Sequence, residues 1–555
     1  MNKTPPWWQN GVIYQIYPKS FQDTTGSGTG DLAGVIQRLD YLKQLGVDAL
    51  WLTPFYISPQ VDNGYDVANY IAIDPAYGTM SDFDHLVEQA HKRGLRVILD
   101  MVFNHSSTQH HWFHESLNPE SPYRDYYIWR DGTPGEPPNN WKSKFGGSAW
   151  RWHPESNQYY MHLWAPEQAD LNWENDSVRA ELKQIVNFWA DRGIDGLRLD
   201  VVNLVSKHQD FPDDPDGDGL RLYTDGPRIH EYMREMSRDV FRPRELVTVG
   251  EMSSATLEHC QQYGSLEGDE LSMVFSFDHV EVDFWNGQKW TLTPLDLVAQ
   301  KKIFTHWQQG MHNRAWNALF WCNHDQPRVV SRWGDDGEYR VQSAKMLAMV
   351  LHGMQGTPYI FQGEELGMTN PGFTRIIDYR DIESHNMYAE LRAQGRDSEN
   401  LLEILASKSR DNGRTPMQWN ASENAGFTTG TPWIGMSQNY ETINAEAAIA
   451  DPDSIFHAYR QLIQLRKRYL ILTWGDYLDL LPSHPYLWCY QRQYEGETLV
   501  VMANFSREAQ TWHPETSFGS GWEVLMSNYP DPKNEPGEIM LRPWEAVWWY
   551  QKKNH

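Results

Sequence analysis

The chain is poor in cysteine, in basic residues and in long apolar runs. Its 555 residues include three cysteines. Cys260, Cys322 and Cys489 are too few and too far apart for a disulfide framework, and they have no CxxC metal-binding spacing. No run of about 18 apolar residues occurs, and the N-terminal stretch MNKTPPWWQN lacks the apolar segment of a signal peptide. We therefore expect a cytoplasmic protein that does not associate with membranes.

The shortage of basic residues gives the chain a strongly negative charge. Lys and Arg total 48 against 74 Asp and Glu, a net charge of −26. Such a field repels nucleic acid and anionic lipid, so neither is an expected partner. It also repels a phosphorylated substrate, and binding one would therefore require a local group of cations. Aromatic residues make up 13% of the chain, which fits either a large aromatic core or surfaces that pack against sugar rings.

The apolar pattern predicts an α/β fold. Short β-branched and aromatic runs alternate with segments of helical periodicity, and near-continuous apolar strands between helices are typical of a parallel sheet buried on both faces. Eight such units over this length predict a (β/α)8 TIM barrel. The eight predicted strands are 12–17, 49–54, 96–103, 196–202, 246–251, 273–277, 317–323 and 357–362.

Two departures from this rhythm predict the domain organisation. Residues 105–172, rich in Trp, Tyr, Pro, Asn and Gly, look like a loop-rich domain inserted after the third strand, and residues 363–450 form a long excursion. From about residue 476 the pattern becomes all-β, which predicts a C-terminal antiparallel β-sandwich. The expected parts are 1–104 and 173–475 for the barrel, 105–172 for the insert and 476–555 for the β-domain.

Four acidic residues lie at or just beyond the ends of predicted strands: Asp100, Asp200, Glu251 and Asp325. In a TIM barrel the carboxyl ends of the strands carry the active site. Any one of these acids could equally be a solvated loop carboxylate or a helix N-cap. Four acidic residues at matching positions on four strands instead predict that their carboxylates converge at the mouth of the barrel.

Converging carboxylates suit glycoside hydrolysis, in which one acid protonates the leaving oxygen and another attacks or stabilises the anomeric centre. Crowding separates their pKa values, so that one can keep its proton near neutral pH. Arg198 lies two residues before Asp200, on the same face of its strand, and could hold that carboxylate ionised. His105 and His324 stand beside the acids and could donate to sugar hydroxyls. Metal ligation is the alternative, although the chain has no HxH or HExxH spacing.

Four segments resemble, in order, the signature regions of the α-amylase family of glycoside hydrolases: DMVFNH (100–105), GLRLDVVN (196–203), TVGEM (248–252) and FWCNHDQPR (320–328). The resemblance implies that Asp200 is the nucleophile, Glu251 the acid/base and Asp325 the stabiliser of the transition state. It also implies substrate contacts from four further residues: Asp100, His105, Arg198 and His324.

Two further segments resemble those of exo-acting oligosaccharide glucosidases: VDNGYDV (61–67) and SRDNGRTPMQW (409–419). This resemblance implies that Asp62 holds the terminal glucose, that Tyr65 stacks beneath it and that Arg410 pairs with Asp62 to close the pocket. A closed pocket implies removal of one glucose from a non-reducing end. Val201, after the nucleophile, accompanies a preference for α-1,6 bonds in related enzymes, although trehalose-type enzymes carry it too.

Within the family, three stretches resemble the phosphotrehalases most closely: WWQNGVIYQIYPKSFQDTTGSGTGDL, LTPFYISPQVDNGYDVANY and NNWKSKFGGSAWRW. The resemblance implies a retaining hydrolysis of a phosphorylated disaccharide, trehalose 6-phosphate, through a covalent glucosyl-aspartate, with no cofactor for the chemistry. The alternative is an oligo-1,6-glucosidase that acts on neutral oligosaccharides. Sucrose isomerisation is disfavoured, because residues 329–334 read VVSRWG and lack the Arg- and Asp-rich motif of the isomerases.

Two alternative hypotheses come from other functional classes: the chain could be a catalytically inactive barrel, or a sugar-binding module without turnover. The dead members of the family lose the nucleophile and the acid/base, whereas Asp200, Glu251 and Asp325 are all present here. A glucose-release assay distinguishes the binding module. We expect a monomer whose partner is its small-molecule substrate.

A phosphorylated substrate requires cations on the leaving-group side. Lys289 is the first candidate and Arg228 the second, followed by Lys301 and Lys302, although most surface lysines are simply solvated. A structural Ca²⁺ is the other ligand to consider. In oligo-1,6-glucosidases the loop after the first strand reads DxNxDGxGD and holds calcium.

Here the corresponding loop keeps two carboxylates, Asp23 and Asp31, to which Ser27, the Thr29 carbonyl and water could add. Because calcium takes six to eight oxygens, the sequence leaves occupancy of this loop open.

Overall fold

A computed structural model of the chain describes residues 4–515, 518, 521–532 and 537–552. Eight parallel strands form one sheet: β1 (Ile13–Ile16), β2 (Ala49–Leu52), β3 (Arg96–Met101), β4 (Gly196–Leu199), β5 (Val247–Glu251), β6 (Met273–Phe275), β7 (Ala318–Leu319) and β8 (Thr357–Phe361). They lie in the order β6–β5–β4–β3–β2–β1–β8–β7, and a parallel bridge between Val274 and Asn317 joins the two edges of the sheet. The predicted barrel is confirmed.

Helices cover the outside of the barrel because their apolar faces are buried against the outward-facing side chains of the strands. Local signals start them: Thr79 and Asp82 form a capping box, and Asn175 and Asp296 accept from the first turns of their helices. The covering helices are Leu32–Gln37, Leu39–Leu45, Met80–Lys92, Asp176–Asp191, Ile229–Met236, Leu257–Tyr263, Leu297–Met311, Arg340–His352 and Ile455–Arg468. Across the part of the chain that is described, every helix is too short or too polar to cross a lipid bilayer.

The segment between β3 and the helix Asp176–Asp191 contains small antiparallel sheets. Three strands form one sheet (Trp129–Asp131, Gln158–Met161 and Trp150–His153), and two form another (His105–Ser107 and Gln168–Asp170). Buried aromatic residues of this segment, such as Trp141 and Tyr159, pack against Val201 and Leu204, which follow β4. The insert therefore rests on the turn that ends a central barrel strand. After β8, the excursion carries the helices Ile382–Ala393, Ser398–Lys408 and Ala445–Ala450.

The C-terminal region is antiparallel, as predicted. Five strands pair in the order Leu478–Asp479, Leu487–Tyr494, Glu497–Asn504, Ala546–Lys552 and Glu523–Ser527. A second sheet of Gln510–Trp512 and Ile539–Leu541 packs on one face through Ile539 and Leu541. The other face meets the helix Arg340–His352, where Trp548 donates to the Met349 carbonyl at 3.1 Å.

The loop 23–31 after β1 is organised by hydrogen bonds to its two carboxylates. Asp23 accepts from the Thr25 and Gly28 N–H groups at 2.9 Å each and from the Thr428 hydroxyl at 2.6 Å. Asp31 caps the next helix by accepting from the Gly34 N–H at 2.7 Å.

The hydroxyl of Ser27 donates to the Thr29 carbonyl at 3.2 Å, so these two predicted ligands satisfy each other. Donors from Thr25, Gly26, Gly28 and Thr428 already occupy the lone pairs of the Asp23 carboxylate, which a cation would need as ligands. No cluster of three or more acidic, His or Cys ligands occurs among the residues described. The donor set of this loop therefore does not fit calcium, and we propose that the loop is stable without a metal.

This proposal predicts that chelation leaves thermal stability unchanged. A melting curve in excess EDTA should coincide with one in millimolar CaCl2, because a bound ion at 100 times its Kd would add about 2.7 kcal/mol. Asp23→Asn should lower stability in both buffers by about 1–3 kcal/mol, since it removes acceptors from buried donors. A Ca²⁺-dependent rise in Tm that Asp23→Asn abolishes would contradict the proposal.

Candidate active site

One cavity opens at the carboxyl end of the barrel. Asp200 follows β4, Glu251 ends β5 and Asp325 lies beyond β7, so the parallel strands bring the three acids to the same mouth. Eight of the predicted site residues line this cavity, together with Trp164 and Val201. The complete lining is Asp62, Tyr65, His105, Trp164, Asp200, Val201, Glu251, His324, Asp325 and Arg410.

Arg198 lies beneath the floor of the cavity, between three carboxylates. Its guanidinium donates to Asp200 at 2.7 Å and to Asp100 at 3.1 Å, and it also contacts Glu251. Arg198 is 1% exposed and Asp100 is fully buried. The structure therefore places these two predicted substrate contacts in the floor, where they support Asp200 instead of facing the open cavity.

The environments of the three acids separate their pKa values. Burial raises the pKa of Asp200 to about 6, even though Arg198 opposes the rise. Burial also raises the pKa of Glu251 well above its ordinary value; Arg198 opposes this rise, and Asp200 and Asp325 add to it. Such a separation gives one protonated acid beside an ionisable carboxylate.

Asp325 titrates in the opposite direction. Burial alone would raise its pKa, but His324, Arg410 and Arg414 outweigh burial and hold the pKa of Asp325 well below its usual range. Arg414 donates to the Asp325 carboxylate at 2.9 Å. Asp325 is therefore a fixed negative charge near neutral pH.

The turn after β4 is strained. Val201 has φ 36° and ψ 39°, a left-handed conformation that a β-branched residue rarely adopts. Its N–H lies 3.4 Å from the Glu251 carboxylate, and its side chain is buried against the insert. Packing of the insert thus holds the turn that presents Asp200 to the cavity.

One end of the cavity is closed by ion pairs. Arg410 donates to Asp62 at 2.9 Å, to Asp381 at 2.6 Å and to Asp325 at 3.2 Å. Gln168 also donates to Asp62, at 3.0 Å. The Asp62–Arg410 pair joins the loop after β2 to the excursion after β8, and this leaves a blind end suited to a terminal sugar.

His324 is held as a neutral imidazole. Burial lowers the pKa of His324 to about 3, and the Tyr65 ring stacks on it at 5.0 Å with only 4° between the planes. The Gln15 amide lies 2.7 Å from its Nδ1. If the amide donates there, the ring carries its proton on Nε2, 3.3 Å from Asp325.

The remaining predicted contacts also lie in this wall. The Tyr65 hydroxyl donates to Asp100 at 2.8 Å. The ring of His105 is buried, with Nε2 3.0 Å from the Tyr65 carbonyl, and burial lowers its pKa. Both side chains border the cavity, so they are positioned to contact a sugar.

Sequence reasoning missed several residues that hold the site together. Arg414 stood within the segment 409–419 that drew attention to Arg410, so proximity to that motif was a usable signal. The others, Gln15, Trp164, Gln168 and Asp381, carry no motif that distinguishes them from ordinary polar or aromatic positions.

The two predicted phosphate ligands are already paired with acids. Arg228 donates to Glu174 at 2.6 Å and to Glu231 at 2.7 Å. Lys289 pairs with Glu383. An anion at either residue would compete with a carboxylate of the chain, so neither offers a free positive charge.

Lys301 cannot bind substrate, and that prediction was wrong. Its side chain is fully buried, and its ammonium donates to the carbonyls of His484 and Leu487 at 2.8 and 2.9 Å. It lies on the helix Leu297–Met311 and anchors the start of the C-terminal sheet.

Comparisons with known proteins agree with this geometry. The model of the α-amylase catalytic domain matches residues 15–475. A trehalose-6-phosphate hydrolase of Escherichia coli (strain K12) is 70% identical, with full coverage of both chains, and an oligo-1,6-glucosidase of Parageobacillus thermoglucosidasius is 49% identical over 97% of this chain and 98% of its own. The crystal structure of the Bacillus licheniformis trehalose-6-phosphate hydrolase superimposes with a TM-score of 0.95 at 53% identity, covering 99% of this chain and 100% of that one. The chain therefore belongs to the α-amylase family of glycoside hydrolases.

Proposed function

We propose that the protein hydrolyses trehalose 6-phosphate to glucose and glucose 6-phosphate with retention at the anomeric carbon. The observation that carries the proposal is the cavity bounded by the Asp62–Arg410 ion pair, in which Asp200 and Asp325 line the wall beside Glu251, an acid with a raised pKa. End-to-end similarity to relatives named for this substrate supports the choice of leaving group.

The reaction begins when the Asp200 carboxylate attacks the anomeric carbon of the bound glucose. Glu251 gives its proton to the departing glycosidic oxygen, and glucose 6-phosphate leaves while a glucosyl ester remains on Asp200. Glu251, now ionised, takes a proton from a water that attacks the ester, and glucose is released. Asp325 accepts hydrogen bonds from the sugar hydroxyls as positive charge develops on the ring.

This chemistry predicts distinct effects for the two reacting acids. Asp200→Ala should lower kcat on every substrate on the order of 10⁴-fold or more, because no covalent intermediate can form. Glu251→Gln should lower kcat/KM for trehalose 6-phosphate by about 10²–10⁴-fold. Its loss on nitrophenyl α-glucoside should be much smaller, because that leaving group departs without a proton.

Asp210→Asn is the matched control, because this exposed carboxylate lies ten positions after Asp200 and contacts none of the site residues described. It should retain activity. A first product with β configuration, observed by NMR before mutarotation, would contradict retention.

The pKa shifts predict a bell-shaped dependence of kcat/KM on pH. The acid limb should lie at about 6, where protonation removes the nucleophile Asp200. Burial raises the pKa of Asp100 to about 6 as well, so both buried aspartates titrate in this limb. The alkaline limb reports loss of the Glu251 proton. On trehalose 6-phosphate, the residual activity of Glu251→Gln should lose the alkaline limb and keep the acid limb; an unchanged alkaline limb would show that another group is the acid.

Parallel kinetics on trehalose 6-phosphate, trehalose and isomaltose test the substrate. A charge-assisted contact contributes about 1.5–3 kcal/mol, so kcat/KM should be about 10- to 150-fold higher for trehalose 6-phosphate than for trehalose. The alternative function, a neutral oligo-1,6-glucosidase, predicts the highest value for isomaltose.

We also propose that the protein works in the cytoplasm as a monomer. The three cysteines are buried, and they form no disulfide within the described residues, which suits a reducing compartment. Cell fractionation tests the location, and sedimentation velocity tests the oligomeric state.

A further inference from the structure

Lys144, on the insert, has no counterion within ion-pair distance among the described residues. Its backbone N–H donates to the Leu163 carbonyl at 2.8 Å, which ties this turn to the rest of the insert. In the described part of the chain its half-buried ammonium makes no ion pair or hydrogen bond, and the Tyr223 ring lies 5.5 Å away. Glu281 and Asp218 influence Lys144 electrostatically, but neither lies within ion-pair distance.

Lys144 lies next to a residue that packs on the cavity wall. The next residue, Phe145, packs against Trp164 at 5.3 Å and against the Arg410 guanidinium at 5.1 Å. Trp164 and Arg410 both line the cavity. The segment that carries Lys144 therefore packs against the cavity wall.

The other neighbours of Lys144 place it on the leaving-group side. Tyr223 follows β4 and Glu281 follows β6, on either side of the acid Glu251 at the end of β5. The departing group is protonated by Glu251, so it must lie toward these strands.

A second cation lies on the same side. Burial and Asp278 raise the pKa of Glu281, whereas Lys144 and Lys289 both lower it. Both ammonium groups therefore act electrostatically on one carboxylate, and Lys289, like Glu281, lies in the segment that follows β6. Lys289 is neutralised by Glu383, whereas Lys144 has no such partner within the described residues.

We propose that Lys144 is the principal specificity-determining cation for the phosphoryl group of the departing hexose 6-phosphate, with Lys289 as a weaker second. A half-buried, unpaired ammonium is costly because it loses hydration without gaining a counterion. A phosphoryl dianion supplies that counterion and accepts charge-assisted hydrogen bonds. The inference rests on the proposed function, because it assigns a ligand within the same site.

Charge removal at Lys144 tests this assignment. Lys144→Met should raise KM for trehalose 6-phosphate about 10- to 150-fold, with KM for trehalose and nitrophenyl α-glucoside changed less than about twofold. Lys144→Arg, which keeps the charge, should restore most of the affinity. Lys142→Met is the matched control: Lys142 is exposed, two residues away on the same segment, and should leave all constants unchanged.

Product inhibition gives a readout independent of turnover of the phosphorylated substrate. Glucose 6-phosphate should inhibit wild-type hydrolysis of nitrophenyl α-glucoside more strongly than glucose does. Lys144→Met should raise the inhibition constant of glucose 6-phosphate about 10-fold or more and leave that of glucose unchanged. Lys289→Met should give a smaller rise, because its charge is already shared with Glu383.

The outcomes separate this inference from the proposed function. If wild type prefers trehalose 6-phosphate but Lys144→Met leaves its KM and the glucose 6-phosphate inhibition unchanged, the assignment to Lys144 fails and the function stands. If Lys144→Met weakens trehalose and trehalose 6-phosphate equally, the residue has a structural role and the assignment also fails. If wild type does not prefer trehalose 6-phosphate, the proposed function itself fails.

Discussion

The contact on which the rest of the site depends is the buried guanidinium of Arg198. It holds Asp100, Asp200 and Glu251 around one positive charge at the base of the cavity. Three ionised carboxylates beside one cation would leave an uncompensated buried negative charge, which is very unfavourable. Retention of one proton resolves the conflict, and the raised pKa of Glu251 assigns that proton to the group that must give it to the leaving oxygen. Burial and crowding of the carboxylates make this cluster energetically unfavourable. The same two effects keep one carboxyl protonated as an acid beside a second carboxylate that can act as the nucleophile.

The surrounding structure keeps this arrangement from relaxing. The Asp100 carboxylate accepts hydrogen bonds from the Tyr65 hydroxyl at 2.8 Å and from the Trp51 indole at 3.1 Å. Val201 keeps a strained backbone because the insert buries its side chain. A rigid barrel alone would place the acids at one mouth, but the insert and the excursion after β8 give the mouth its closed end. The chemistry and the selection of a terminal sugar thus come from different parts of the chain.

The barrel and the reacting acids could be predicted from the sequence because their signals are local. A buried parallel strand is a continuous apolar run, and an acid at its end is recognisable without knowledge of the partner strand. Gln15 and Asp381 could not be predicted, because their roles depend on contacts with His324 and Arg410, 309 and 29 positions away. Dependence on distant contacts also explains why the sequence predicts Lys289 as a free cation. Its partner Glu383 is 94 residues away in the sequence, and only the structure shows that it pairs with the Lys289 ammonium.

The net charge of −26 does not conflict with an anionic substrate, because repulsion by the whole protein and binding by a local cation act over different distances. Exposed charges are screened over about 8 Å at physiological ionic strength, so the acidic surface mainly slows the approach of an anion. Affinity is decided within hydrogen-bond distance, where a cation's own partners determine whether its charge is available. Arg228 and Lys289 are close to carboxylates that use this charge. In this acidic protein, the cation that marks the phosphate site is Lys144, which has no carboxylate partner within the described residues. We expect the phosphoryl group of the substrate to be its counterion.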